Sequence, residues 1–304
     1  MNQNVLPPTP TSPTAPAKSN SWWRVLLIGL AFYFVGLIVL VLTSNPNLFP
    51  TVVMVGSFLV PITYVAFFYD RRHLSHLTVP AVAQGFVYGG LLGVLAASIL
   101  EPILIQSLNF VSVFVVGLIE EFVKILGILV IARHHRHNSE MDGLILGAAA
   151  GMGFAALESS GYAFTSFLSS GGSLSATVFV MLLRGILAPI GHGTWTAILA
   201  SVLFRESRPG KYRITLKVIG AYLLVSILHG LWDGVPAVLY GIFGSIFSEF
   251  IGEALVGIAG FIILWLRWRE ARRLQIQALV QTEAANEPQP GEPKETIQQP
   301  PASS

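Results

Sequence analysis

Long apolar segments separated by short polar stretches make up most of the chain. Eight of these segments are each close to the roughly 20 residues that a helix needs to cross a hydrocarbon core about 30 Å thick. Polar and apolar residues do not alternate at every second position within them, as they would in a strand of a transmembrane barrel. The pattern therefore predicts an all-α, polytopic transmembrane helix bundle of about eight spans, at residues 23–42, 52–69, 83–105, 109–131, 143–168, 177–203, 214–235 and 242–265.

Both ends of the chain are polar. Residues 1–21 are rich in Pro, Thr, Ser and Asn, and residues 274–304 are rich in Gln, Glu and Pro. Segments with so few apolar residues cannot bury enough surface to fold. We therefore expect two disordered tails, 1–21 and 274–304, on either side of a membrane-embedded bundle at 22–273.

Composition supports a membrane protein and excludes several other classes. Of the 304 residues, 53% are hydrophobic and 11% are charged, whereas a soluble domain has about 25% charged residues. The chain has no cysteine, which excludes disulfides and thiolate metal sites. The basic residues are scattered through short loops rather than gathered on one face, so we expect no nucleic-acid partner.

The basic residues also predict the orientation in the membrane. Sixteen of the 18 lysines and arginines lie in the first tail, in the loops after the second, fourth and sixth segments, or beyond the eighth. Cytoplasmic loops carry an excess of Lys and Arg. We therefore predict a multi-pass protein of the cell (plasma) membrane with both termini in the cytoplasm.

Several apolar segments contain ionisable residues at positions far from their ends. Each charged residue at a helix centre costs roughly 2.5–3.5 kcal/mol for insertion, so such residues usually mark a functional site. Measured from the predicted cytoplasmic ends, they fall near the middle of the bilayer, where they can meet. The candidate site residues are Glu120, Glu121, Lys124, Glu158, His192, His229 and Asp233.

The spacing of these residues predicts which helix faces they share. Glu120 and Lys124 are four apart and lie on one face, whereas Glu121 is rotated by about 100° from Glu120. We therefore expect the lysine to neutralise one carboxylate while the other points elsewhere. Glu158 follows a row of glycines and lies on nearly the same face as Gly151, so it should point into the bundle.

His192 and His229 have different neighbours in the sequence. His192 lies between glycines, and Pro189 just before it removes one backbone donor and favours a kink. His229 and Asp233 are four apart on one helix face, a spacing that suits two ligands or a histidine oriented by a carboxylate.

Carboxylates and imidazoles that meet in a water-accessible cavity suit the activation of water. A glutamate can take the proton as a general base. Alternatively, zinc held by Glu158, His192 and His229 can activate the water. A serine nucleophile fits poorly, because Ser159 and Ser160 do not lie in a Gly-x-Ser-x-Gly elbow.

Three motifs in chain order resemble the signatures of the PrsW family of intramembrane proteases, which is related to the CAAX prenyl protease and bacteriocin-processing group. They are Glu120-Glu121-x-x-Lys124, Phe154-x-x-x-Glu158 and His229-x-x-x-Asp233. The resemblance covers about 108–236, the protease-like core. It implies a peptidase that acts on membrane-anchored proteins or peptides within the lipid bilayer. In the family Asn often follows the second-motif Glu, whereas Ser159 stands here.

Two other functions use similar residues. Intramembrane Glu and His also build the proton relays of proton-coupled transporters, although the hydropathy shows no internal repeat with paired broken helices. A non-catalytic binding or immunity protein on the same scaffold is the other alternative, and the intact set of carboxylates and histidines argues against it.

Overall fold

The computed structural model describes residues 20–72, 75, 77–107, 109–132, 139–208 and 211–286. The described residues form nine α-helices and one short 3₁₀ turn, Pro46–Leu48, which confirms the prediction of an all-α bundle. The helices are α1 (Trp22–Thr43), α2 (Phe49–Asp70), α3 (Val79–Leu104), α4 (Ser112–Ala132), α5 (Glu140–Ser169), α6 (Leu174–Leu187), α7 (His192–Glu206), α8 (Leu216–Phe243) and α9 (Ile246–Asn286).

Seven stretches in the described part of the chain are long and apolar enough to cross a membrane. They contain α1, α2, α3, α5, the α6–α7 pair, α8 and α9. α4 has 21 residues, which is also long enough for a span. It differs from the seven stretches in carrying three ionisable side chains close together. The seven stretches and α4 together correspond to the eight predicted segments. The cytoplasmic placement of both termini stays a prediction.

The sixth predicted span, 177–203, is not one continuous helix, which corrects the sequence-based expectation. α6 ends at Leu187 and α7 begins at His192. Pro189 has no N–H to donate, and Gly191 has a non-helical backbone, with φ −91° and ψ −106°. The break therefore places His192 at the first residue of a new helix.

α5 lies at the centre of the bundle, and every residue from Glu140 to Ala156 is buried. Its glycines make this close packing possible. A Cβ at Gly147 would lie 2.7 Å from the Cα of Ala197 on α7, and a Cβ at Gly143 would lie 2.5 Å from the carbonyl oxygen of Ala200. The predicted small-residue face is confirmed as the contact with α7. The opposite side of α5 packs just as closely on α3, where Gly90 contacts the backbone of Gly153.

We expect Gly153→Ala to destabilise the bundle by about 1–3 kcal/mol, the usual effect of overpacking a tight contact. The new Cβ would collide with the carbonyl group of Phe86 on α3, which is backbone and cannot rotate away. Thermal unfolding of the protein in detergent measures the effect. Gly220→Ala on α8 is the control, because no atom lies within 4 Å of the position of its Cβ. Equal melting temperatures for the two variants would contradict the proposed α3–α5 contact.

The last helix is longer than predicted. α9 continues to Asn286, so residues 274–286, which we assigned to a disordered tail, are helical. One contact helps to explain the extension, because Gln275 Nε2 donates to Ser139 Oγ at 3.4 Å. Residues 1–19 and 287–304, which make up most of the two predicted tails, lie outside the described residues, as does the loop with His134, His135 and His137.

A partly buried ionic cluster joins α9 to α5 and α7. Arg267 pairs with the buried Glu140 and donates from Nη1 to Glu270 Oε2 at 2.7 Å. Arg205 Nη1 lies 2.5 Å from Glu270 Oε1. Because these charges satisfy one another across three helices, the cluster stabilises the packing of α9 against the core.

Candidate active site

Four helices bring the predicted site residues together. Lys124 Nζ on α4 lies 2.9 Å from His192 Nδ1 on α7. His192 Nε2 lies 3.1 Å from Glu158 Oε2 on α5, and His229 Nδ1 on α8 lies 3.2 Å from Glu121 Oε1 on α4. The predicted meeting of these side chains inside the bundle is therefore observed. Their catalytic roles stay predictions.

The ammonium group of Lys124 is the centre of the buried polar network. Its side chain is fully buried, and Nζ donates to Glu120 Oε2 at 3.0 Å and to Glu121 Oε1 at 2.8 Å. Nζ also lies 4.1 Å from the centre of the Phe154 ring. The lysine therefore binds both carboxylates, which corrects the expectation that one of them points elsewhere. Its long flexible side chain can reach both the i−3 and i−4 positions.

The two neighbouring glutamates have different environments. Glu120 lines the cavity described below, whereas Glu121 is completely buried. Thr196 Oγ1 donates to Glu121 Oε2 at 2.9 Å, while Oε1 faces Lys124 and His229. A carboxylate on the far nitrogen of an imidazole fixes the orientation of that ring. Glu121 thus positions His229, and Glu120 faces the space where a substrate could bind.

Glu158 is held by an arginine from α6. Arg184 donates from Nη2 to Glu158 Oε2 at 2.5 Å and from Nε to Ser159 Oγ at 3.0 Å. The guanidinium carbon lies 4.2 Å from the centre of the Tyr162 ring. Arg184 therefore pairs with a carboxylate inside the bundle. Ser159, which stands where the family often has Asn, takes part in this arrangement as an acceptor.

Asp233 lies one helical turn beyond His229, as the spacing predicts. Its Oδ2 is 3.5 Å from His229 Nε2, and about a third of its side chain, 34%, is exposed. Glu121 and Asp233 therefore approach different nitrogens of the same imidazole. Asp233 faces the cavity, and Glu121 lies behind the ring.

A cavity of about 410 Å³ adjoins these residues. Sequence reasoning missed one of its lining acids, Glu101, although an acid inside an apolar segment was an available signal. Glu253 on α9 also borders the cavity. Several of its acids already have partners, such as Glu120 with Lys124 and Glu158 with Arg184, and the predominance of carboxyl groups favours ligands that are cationic or donate hydrogen bonds. The lining carboxyl groups are Glu101, Glu120, Glu158, Asp233 and Glu253, and the lining residues include one arginine, Arg184.

Three buried side chains are close enough to share a metal ion. One ligand atom from each of Glu120, His192 and His229 lies within 4.8 Å of the other two. Two imidazoles and one carboxylate form the ligand set of many catalytic zinc sites, so the donor chemistry fits a metal. This set contains Glu120 rather than the predicted Glu158, whose carboxylate contacts both Arg184 and His192.

The helices and the site together define a class: a polytopic membrane protein with a carboxylate–histidine centre buried among its spans. Residues 78–269 match the family described as PrsW family intramembrane metalloprotease. Because this match covers more than half of the chain, the chain belongs to that family and is an intramembrane protease.

A curated relative supports the assignment. Protease PrsW of Halalkalibacterium halodurans is 27% identical over 176 residues, which cover 56% of this chain and 77% of the relative. No solved structure matches the chain. The family assignment favours the peptidase hypothesis over the transporter and the non-catalytic alternatives.

Proposed function

We propose that this protein hydrolyses peptide bonds of membrane-anchored proteins or peptides in the plasma membrane, with zinc held by Glu120, His192 and His229. The compact Glu–His–His group beside a carboxylate-lined cavity carries the proposal. When bound, zinc supplies Lewis-acid activation of water and polarisation of the peptide carbonyl.

Glu158 is the general base in this proposal. Its carboxylate borders the cavity, and Oε2 lies 3.1 Å from His192 Nε2, beside the proposed ligands. It takes a proton from the attacking water and later gives it to the departing amine, as a single carboxyl group can do in both half-steps. Arg184 holds this carboxylate in place through its 2.5 Å contact.

The remaining polar residues hold the site in position. Lys124 fixes Glu120 and Glu121 through its two hydrogen bonds, so the ligand Glu120 cannot turn away from the cavity. Glu121 orients His229 from behind the ring, and loss of such a partner commonly lowers metal affinity or activity by about 10- to 100-fold. Because these contacts hold the proposed zinc ligands in position before a substrate binds, the ligands rearrange little during each turnover.

Zinc removal tests the proposal directly. We expect the purified protein to contain about one zinc ion per chain, and chelation to abolish cleavage that added zinc then restores. The protein is reconstituted in liposomes with a mixture of single-span bacterial membrane proteins, and new termini are identified by mass spectrometry. Cleavage at an undiminished rate by metal-free protein would overturn the zinc assignment and favour a glutamate-activated water. The absence of any cleavage by zinc-loaded protein would overturn the proposed function.

A further inference from the structure

α3 and α5 run in the same direction and are packed closely over only part of their length. The contacts pair Gly89 with Ala150, Gly90 with Gly153 and Gly93 with Phe154. If this pairing continued with the same offset, Leu100 would lie opposite Gly161 and Glu101 opposite Tyr162. Instead, no atom lies within 4 Å of the position of a Gly161 Cβ. The two helices therefore separate beyond Phe154 and leave an open space between them.

This space is a crevice of about 300 Å³ between the far halves of the two helices. We call it the α3–α5 crevice. Its polar and glycine lining residues are Ser98, Glu101, Glu120, Glu158, Gly161, Tyr162 and Thr165, and its apolar lining residues are Val94, Ala97, Phe154 and Leu157. It shares Glu101, Glu120, Glu158 and Tyr162 with the active-site cavity. The crevice therefore reaches the proposed general base from the side of α3 and α5, while the cavity reaches it from the side of α6 and α8.

The lining of the crevice differs from the surface around it. Nearby outward-facing residues are apolar, such as Leu95, Phe164 and Leu168, each more than half exposed. Beside its apolar residues, the crevice presents three carboxyl groups and three hydroxyl groups. Polar groups at membrane depth are retained where they meet water or another polar partner. A lipid acyl chain offers neither.

The backbone of an extended peptide segment offers polar partners for the carboxyl and hydroxyl groups of this crevice. A protease must cleave an unwound segment, and its backbone N–H and C=O groups cannot remain unpaired in the bilayer. Carboxylates accept hydrogen bonds from N–H groups, and hydroxyl groups both donate and accept. The absence of a side chain at Gly161 leaves room for the backbone of a second chain to approach α5.

We propose that the α3–α5 crevice binds the extended segment of a membrane-anchored substrate and delivers the scissile bond to Glu158. This inference rests on the proposed function, because it names the route by which the substrate of that reaction enters. It also makes Gly161 a specificity-determining position, since the size of the side chain there sets the space available to the substrate.

Substitution at Gly161 tests the route. Gly161→Leu and Gly161→Trp fill the crevice, and we expect cleavage of the membrane-protein mixture to fall with side-chain size, by about tenfold or more for Trp. Gly220→Leu on α8 is the matched control, because its Cβ also meets no atom within 4 Å and Gly220 borders neither cavity. Retained zinc and an unchanged melting temperature show that the Gly161 variants are folded. Wild-type cleavage by a folded Gly161→Trp would overturn the proposal.

Photo-crosslinking tests occupancy without depending on turnover. Because the chain has no cysteine, Gly161→Cys and Gly220→Cys each create a single labelling site for a benzophenone, here in the His229→Ala background, which is expected to be inactive and whose substitution lies outside the crevice lining. The probe is a biotinylated, single-span hydrophobic peptide in phosphatidylcholine liposomes. We expect crosslinking to the peptide from position 161 alone, with displacement by unlabelled peptide.

Each other outcome has a separate meaning. Equal crosslinking from positions 161 and 220, or crosslinking of position 161 to lipid that the peptide does not displace, would overturn the crevice assignment. If zinc-loaded wild-type protein fails to cleave while position 161 still captures the peptide specifically, the binding site stands and the proposed reaction fails.

Discussion

Glu158→Gln is expected to lower the rate of cleavage roughly 10²- to 10⁴-fold, the usual contribution of a general base. The amide keeps the size of the side chain but cannot accept a proton from water. Bound zinc should remain, because Glu120, His192 and His229 still supply its ligands. The measurements are kcat in liposomes and zinc per chain.

Glu206→Gln is the control for this substitution. Glu206 lies at the end of α7 and pairs with the exposed Lys217, and such a surface pair contributes about 0–1 kcal/mol to stability. We expect normal cleavage from this variant. A Glu158→Gln protein that loses its zinc would show that Glu158 is a ligand, as the sequence first suggested, and normal cleavage would remove it from the reaction altogether.

His229→Ala is expected to remove both bound zinc and detectable cleavage. His229 is almost completely buried, with 2% of its surface exposed, and contacts Glu120, Glu121 and Asp233. Without the imidazole, two ligands remain, which is fewer than the three protein ligands of a catalytic zinc site. The protein should still fold, because Lys124 and Thr196 continue to bond Glu121.

Leu224→Ala provides a control on the same helix. Leu224 is 40% exposed on the outer surface of α8, so its truncation leaves no buried cavity near the site. We expect this variant to retain zinc and to cleave normally. Full zinc content in His229→Ala would refute the role of His229 as a ligand, even if cleavage were lost.

Much of the fold and the membership of the site could be predicted from the sequence. Backbone polar groups in lipid must be paired within helices, so the apolar segments correctly indicated the helical spans, although the sixth is broken between Leu187 and His192 and the last continues to Asn286 rather than ending near residue 265. Charged groups inside those segments are costly, which identified Glu120, Glu121 and Lys124 on α4. Spacing then correctly placed Asp233 one turn from His229.

The arrangement within the site could not be predicted in the same way. Adjacent residues on one helix differ by a rotation of about 100°, but only the neighbouring helices decide that Glu120 faces the cavity and Glu121 faces Thr196. The presence of Glu120 rather than Glu158 in the compact Glu–His–His group depends on how the helices pack against one another. These contacts join residues far apart in the chain, and periodicity carries no information about them.

Two further differences between prediction and structure concern where helices end. Pro189 predicted a kink, but the non-helical Gly191 turned it into a complete break between α6 and α7. The polar composition after residue 274 predicted disorder, yet α9 continues to Asn286. Contacts with a folded core can stabilise a helix that its composition alone would not.

The central helix α5 keeps its neighbours α3 and α7 at a fixed distance from each other. Because α5 meets α3 and α7 through glycines, the distance between those neighbours is determined by main-chain atoms, which have no alternative rotamers. Glu158 lies on this rigid element, whereas its partner Arg184 lies on α6, which the break separates from His192. The backbone that carries the proposed base is therefore positioned by main-chain packing, and Arg184 adds the side-chain contact that fixes its carboxylate.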